Sequence, residues 1–148
     1  MLKEDLQKLF LLIRMLRALI QLHRHTARML KVMVINTQML ITLFLKTDYR
    51  IVKVSIGDIR YIEGMSEYLK VWIEGEAKPI ITLLSMKKME ERLPDIFMRI
   101  HRSYIVNLTK IQEVNKNRII MDANTYLPIG DLYKEAFQAY LNTKFLGK

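Results

Sequence analysis

The sequence predicts a mainly β domain with short helices, preceded by an N-terminal helical segment. Apolar residues recur at helical spacing over about residues 4–24, whereas short alternating runs typical of strands begin at Lys46. All five glycines and all three prolines lie after residue 56, which favours a turn-rich structure there. This change in composition predicts an N-terminal extension over residues 1–45 and a domain over residues 46–148.

Composition narrows the function classes. The hydrophobic fraction of 51% is sufficient for a packed core, and the net charge of +9 favours a polyanionic partner such as nucleic acid or an anionic membrane. The chain has no cysteine, which excludes disulfides and cysteine zinc sites and is compatible with the cytoplasmic location that we expect. The sequence contains neither a glycine-rich phosphate loop nor a recognisable hydrolase triad. We therefore expect no enzyme activity, no cofactor and no metal site.

The N-terminal segment predicts a helix over about residues 4–24. Its apolar face consists of Leu2, Leu6, Leu9, Phe10, Ile13, Leu16 and Ile20. Arg14 and Arg17 interrupt the apolar run, so we do not expect the helix to span a membrane. Three interpretations remain open: a packing or dimerisation helix, a membrane-surface helix, or a non-native or truncated remnant. The uncharged stretch from Val32 to Leu45 is expected to be a buried strand or helix.

The domain is predicted to consist of short strands separated by glycine, proline and asparagine turns. Strands are predicted over residues 47–54, 59–63, 68–74, 79–84, 97–103, 118–121 and 125–129. A short helix is expected to begin after the N-cap candidate Ser85 and to end before Pro94. A second helix is expected over about residues 132–143. Its apolar face would consist of Tyr133, Ala136, Phe137, Tyr140 and Leu141.

The most informative stretch runs from Phe97 to Asn107. Three potential cations, a hydroxyl and an amide lie within nine residues, namely Arg99, His101, Arg102, Ser103 and Asn107. Arginine and serine suit phosphate oxygens, and asparagine suits an adenine edge. Residues 104–106 are expected to form a short apolar turn closed by Asn107. The alternative interpretation is a half-buried strand whose cations are solvated.

Positive charge is concentrated in the same region. Residues 46–148 contain seventeen basic residues against thirteen acidic ones, an excess of four. Residues 97–118, which include Lys110, contain five basic residues against one acidic residue, again an excess of four. This segment thus carries a local excess equal to the net charge of its whole domain, as a phosphate-facing surface requires.

The stretch from Arg99 to Asn107 resembles the signature of the LytTR DNA-binding domain family, the output domain of LytR/AlgR-type response regulators. Three further blocks agree in order and spacing. They are Thr47–Val52 with Ile59–Gly64, Ser85–Leu93, and Leu127–Tyr133. The resemblance covers about residues 45–143.

The resemblance implies small antiparallel sheets with short helices, and DNA binding through loops rather than a recognition helix. The family contacts two successive major grooves and the minor groove between them, and bends the site. Carried onto this chain, one loop is Met65–Tyr68, the second is the signature and the third is Gly130–Asp131. At the third loop some family members carry arginine, whereas Gly130 and Asp131 offer no cation.

The resemblance also implies residue roles. Asn107 is expected to contact a base, whereas Arg102 and Ser103 are expected to contact phosphate. Arg99 and His101 either contact DNA or brace the loop. The complete predicted DNA-binding set is Ser66, Tyr68, Lys70, Arg99, His101, Arg102, Ser103, Asn107, Lys110, Gly130 and Asp131.

The predicted function is therefore a sequence-specific DNA-binding transcriptional regulator of the two-component type. The expected partners are duplex DNA and a second copy of the chain paired through residues 1–45. The segment before the domain is too short for a phosphoacceptor receiver domain, so we expect no phosphorylation control within this chain. One alternative is a membrane-surface or protein-interaction regulator acting through the N-terminal helix. Another is RNA binding, although no stacking platform of paired aromatic residues on one sheet is evident from the sequence.

Overall fold

The structure, a computed structural model, describes residues 2–22, 27–33 and 41–147. The chain divides into two compact units, residues 1–37 and residues 38–148, and each is described by itself. The predicted boundary between residues 45 and 46 stays a prediction, and the first strand begins before it. Residues 34–40 of the predicted apolar stretch lie outside the described residues.

The first unit is helical. Helix α1 spans Leu2–Leu22, which confirms the predicted N-terminal helix, and residues 27–33 form a second helix, α2. Glu4 and Asp5 lie in the first turn of α1, where a negative charge interacts favourably with the helix dipole. Within the described ranges, no helix is both long enough and apolar enough to cross a membrane.

The second unit contains ten described strands and two described α-helices. The strands are β1 Thr42–Lys46, β2 Ile51–Ser55, β3 Ile59–Met65, β4 Tyr68–Ile73, β5 Ile80–Leu83, β6 Phe97–His101, β7 Tyr104–Asn107, β8 Glu113–Asn115, β9 Arg118–Asp122 and β10 Thr125–Pro128. The helices are α3 Met86–Arg92 and α4 Lys134–Asn142. The strands form three antiparallel sheets with the orders β1-β2, β5-β4-β3-β7-β6 and β10-β9-β8.

The five-stranded sheet is buried on both faces. One face packs in a core with the three-stranded sheet and α4, and the buried members of that core are Tyr61, Ile100, Val106, Ile119, Met121, Leu127, Ile129 and Phe137. The other face buries Ile62, Leu69, Val71 and Ile105, and Met89 of α3 is buried as well. With both faces occupied, the ends of the strands and their loops are left to contact a large ligand.

The predicted fold class, mainly β with small antiparallel sheets and short helices, is confirmed, but two local predictions are wrong and one short strand was missed. Residues 47–50 form a turn closed by the Thr47 amide donating to the Arg50 carbonyl over 2.8 Å, so the predicted strand over 47–54 is replaced by β1 and β2 around that turn. Tyr104–Asn107 is a strand rather than an apolar turn, because the chain reverses at Arg102 and Ser103. The short edge strand β8 was not predicted.

Candidate nucleic-acid interface

Three loops from distant parts of the chain meet at one end of the five-stranded sheet. The Gly64 amide donates to the Ser103 carbonyl over 2.8 Å, which joins the end of β3, where the β3–β4 loop begins, to the β6–β7 loop. The Gly130 amide donates to the Ile100 carbonyl, also over 2.8 Å, which joins the loop after β10 to the same place. We define the loop edge as residues 64–68, 101–104 and 130–133. All three predicted loops therefore lie together.

Close backbone approach explains the glycine at position 130. A Cβ atom added there would lie 3.2 Å from Cδ2 of Tyr133 and 3.3 Å from Cδ2 of His101, so both rings would have to shift by a few tenths of an ångström. In the β3–β4 loop, Ser66 takes the left-handed conformation with φ of 56°. This allows β3 to reverse tightly into β4. Gly130 thus positions the third loop and offers no group for base recognition.

The side chain of Arg99 braces the loop edge. Its Nη2 donates to the Arg102 carbonyl over 2.8 Å, and its Nη1 lies 3.2 Å from Oε2 of Glu90 on α3. Its guanidinium carbon also lies 5.8 Å from the ring centroid of Tyr133, within cation–π range. Arg99 therefore ties the signature turn, α3 and the third loop together. Of the two roles predicted for Arg99, these contacts match bracing.

His101 contributes to the same bracing. Its Nδ1 accepts a hydrogen bond of 3.0 Å from the Ser103 amide, and this bond closes the turn at Arg102. The imidazole packs against the ring of Tyr104, with the centroids 5.6 Å apart, and against Gly130. These contacts hold His101 and the turn in one arrangement.

Several polar groups at the loop edge remain available to a ligand. The Arg102 side chain is exposed and forms no ion pair with any described residue. Ser66 and Tyr68, both in the predicted DNA-binding set, are exposed, and Ser103 is half-buried beside Arg102. Lys70, on β4, is partly exposed and lies opposite Glu63 and Ile81.

Two further cations were not predicted. Lys87 and Lys88 are exposed at the start of α3, and neither pairs with an acid in the part of the chain that the structure describes. They directly follow Met86 in sequence, and the Met86 side chain lies 3.4 Å from where a Cβ of Gly64 would be. The start of α3 is therefore adjacent to the loop edge. Two consecutive lysines in the first turn after the N-cap residue Ser85 were the sequence signal that could have identified them.

Asn107, which was predicted to contact a base, lies in the core of the domain. Asn107 is fully buried, at 0% exposure, and its Nδ2 donates to the Ile59 carbonyl over 2.8 Å. Its Oδ1 accepts from the Thr109 amide at 3.0 Å and from the Thr109 hydroxyl at 2.7 Å, so the side chain caps the 3-10 turn that follows. Asn107 ends β7 at the end of the strand away from the signature turn, and its amide is occupied.

The opposite end of the sheet holds a second charged cluster, which we call the clamp end: Arg60, Glu74, Lys110 and Asp122. Arg60 pairs with the Asp122 carboxylate, and its Nε lies 3.8 Å from Oε2 of Glu74. Lys110 Nζ lies 3.6 Å from the same Glu74 oxygen. Lys110 was predicted to bind DNA, but the structure places it here, paired and away from the loop edge.

Asp122 is the acid at the centre of the clamp end. A hydrogen bond from the Asn124 amide lowers the pKa of its carboxyl below the ordinary value of 3.8, and the Thr125 hydroxyl and Arg60 lower it further. Arg60 lies on β3 and Asp122 on β9, so their ion pair joins the five-stranded sheet to the three-stranded sheet. The cations of the clamp end therefore have a structural role.

The third loop carries a neutralised acid and an exposed leucine. Lys134 Nζ lies 2.6 Å from Oδ1 of Asp131, and this hydrogen bond lowers the pKa of the Asp131 carboxyl. Leu132 is 92% exposed, although it lies within a 3-10 turn, Asp131–Tyr133. Gly130 and Asp131 were predicted to bind DNA, whereas Leu132 was not singled out.

Comparison with known proteins identifies the family of this chain. Residues 49–142 match the family profile of the LytTr DNA-binding domain. Over 105 residues the chain is 30% identical to a protein of Bacillus cereus named sensory transduction protein LytT, covering 67% of this chain and 42% of that protein. The chain thus spans less than half the length of this curated relative. A solved LytTr DNA-binding domain of a Bacillus cereus response regulator superposes with a TM-score of 0.60 at 25% identity, covering 68% of this chain and 95% of that one.

Proposed function

Because this chain belongs to the LytTR family of DNA-binding domains, we propose that it regulates transcription by binding duplex DNA sequence-specifically through its loop edge. The observation that carries this proposal is the convergence of three loops around Arg102, an exposed cation with no ion pair among the described residues. A cation that is already paired must lose its partner before it binds phosphate, whereas Arg102 loses nothing comparable.

In this proposal, cations at and beside the loop edge bind phosphates and thereby fix the position of the protein on the duplex. Arg102, Lys87 and Lys88 supply the charge, and the hydroxyl groups of Ser66 and Ser103 suit further phosphate oxygens. Arg99 and His101 hold the turn in place before DNA arrives, because their hydrogen bonds to Arg102 and Ser103 already exist in the free protein. Such preorganisation reduces the cost of ordering the loop on binding.

Sequence readout requires contacts to base edges. Since Asn107 is buried, these contacts must come from side chains exposed at the loop edge, among them Tyr68 on the first loop. We further propose that the chain is the DNA-binding output part of a two-component regulator, as the name of the sensory transduction relative suggests.

The test is a selection of bound sequences from a random pool of duplex DNA, made with the full 148-residue chain. We expect a defined motif to be enriched, and we expect a mobility shift on that motif to survive an excess of unrelated RNA. Recovery of an unenriched pool, or displacement by RNA at equal concentration, would contradict the proposal. Arg102→Ala serves as the matched variant and should weaken binding to good and poor sites alike.

We also propose that residues 1–45 pair two copies of the chain through the apolar face of α1. Linking two DNA-binding domains raises the effective concentration of the second at a neighbouring half-site. Sedimentation of the full chain beside a Phe10→Glu, Ile13→Glu variant tests this, with Lys8→Glu as the charge control. A dimer lost only in the double variant supports pairing. Monomers throughout, or binding of the intact chain to anionic vesicles instead, would contradict it.

A further inference from the structure

Leu132 is the most exposed large apolar side chain of the loop edge. It is 92% exposed, whereas the neighbouring Gly130 and Tyr133 are partly buried. A single exposed leucine on a protein surface is ordinary. The surroundings of Leu132 are unusual, because the residues on both sides of it are held in place by contacts.

The turn that carries Leu132 is fixed by four contacts. The Tyr133 amide donates to the Gly130 carbonyl over 2.9 Å, and the Gly130 amide donates to Ile100 over 2.8 Å. The Tyr133 ring lies under the Arg99 guanidinium, and Asp131 is bound to Lys134. Leu132 is therefore presented to solvent by a braced turn and takes no part in the core.

The chemistry of the turn matches a base edge better than a phosphate. Asp131 precedes Leu132, and its side chain is also 92% exposed. Lys134 Nζ is bound to one oxygen of this carboxylate, and an ionised carboxylate can accept further hydrogen bonds. In the major groove it can accept one from the amino group of cytosine. An apolar side chain has one partner on that edge, the 5-methyl group of thymine. A turn presenting Asp131 and Leu132 side by side thus suits the major-groove edges of the bases.

We propose that Leu132 determines specificity by contacting a thymine 5-methyl group in the major groove. The inference rests on the DNA-binding function proposed above and names one of its base contacts. Arg102, on the adjacent loop, would bind phosphate nearby and so fix the distance of Leu132 from the bases.

Deoxyuridine provides the direct probe, because it differs from thymidine only by the missing methyl group. The preferred duplex from the selection is synthesised with each thymidine replaced in turn by deoxyuridine, and the affinity of the full chain is measured for each. We expect about a fourfold loss at one thymidine of each half-site, the size expected for one methyl group leaving an apolar contact. Leu132→Ala should show a similar loss on the parent duplex and no further loss at that deoxyuridine.

The controls separate the possible outcomes. Leu146→Ala removes another fully exposed leucine, at 101% exposure, and should change nothing. If Leu132→Ala binds like the unmodified chain, or retains every deoxyuridine loss, the thymine contact is wrong. If Leu132→Ala weakens binding but no deoxyuridine position matters, Leu132 acts by another route, such as wedging between bases, and the proposal is again overturned. If the selection yields no motif, the proposed function itself has failed.

Discussion

The two ends of the five-stranded sheet carry similar residues with opposite roles. At the clamp end, Arg60 and Lys110 face acids on neighbouring elements and are paired with them. Around the loop edge, Arg102, Lys87 and Lys88 are exposed and have no ion pair with described residues. The pairing of a cation, and not its residue type or its place in a motif, therefore separates a structural cation from one available to phosphate.

Arg99 shows that the two roles can also occur side by side. It lies three residues before Arg102, but it donates to the Arg102 carbonyl and pairs with Glu90. One arginine thus positions the loop so that the other can be presented to a ligand.

The largest effect on stability is expected from Asn107→Ala. The substitution tests whether Asn107 has a structural role in the core. The substitution removes hydrogen bonds to Ile59 and Thr109 and leaves buried polar groups unpaired, so we expect a loss of about 3 kcal/mol in the free energy of unfolding. Urea unfolding measures it. Asn117→Ala, in an exposed turn, should change stability by less than about 0.5 kcal/mol. A stable Asn107→Ala protein with weakened DNA binding would restore the base-contact role.

A smaller loss of stability is expected from Arg99→Ala. This variant tests whether Arg99 stabilises the loop or binds DNA. Its two hydrogen bonds to backbone carbonyls make the expected loss about 1–2 kcal/mol, while the half-exposed pair with Glu90 adds little. DNA affinity should also fall, with the salt dependence unchanged because no phosphate contact is removed. Arg102→Ala should leave the free energy of unfolding nearly unchanged, but it should weaken the salt dependence of DNA binding. Identical behaviour of the two variants would remove the distinction.

The acid range tests the clamp end. The folded protein holds the pKa of Asp122 below its ordinary value of 3.8. At a pH near these two pKa values, the folded state therefore binds fewer protons than the unfolded state. The stabilisation is therefore complete above 3.8 and is lost as the pH falls through the lower folded value. Asp122→Asn removes the charge and should flatten the loss of stability between about pH 5 and pH 2. Stability is measured against pH by thermal unfolding of both proteins. Parallel stability curves for the two proteins would show that Asp122 has no such role.

The sequence predicted the fold class and the three loops well, because alternating strands, turn residues and ordered family blocks are local signals. It could not assign roles within the site. Asn107 and Lys110 share a charged segment with Arg102, but β7 carries them to the far end of the sheet. Their partners, Ile59 and Glu74, lie more than thirty residues away along the chain, where no local pattern connects them. Lys87 and Lys88 were missed for the converse reason, since only the packing of Met86 beside Gly64 brings them near the loop edge.

The salt dependence of DNA binding shows which end of the five-stranded sheet binds phosphate. For the full chain on its selected duplex, contact with about four to six phosphates predicts a slope of log affinity against log salt of roughly −4 to −5. Arg102→Ala should reduce the magnitude of that slope by about one, whereas Lys110→Ala at the clamp end should leave it unchanged. A slope that weakens for Lys110→Ala and not for Arg102→Ala would place the DNA at the clamp end. That result would contradict DNA binding through the loop edge.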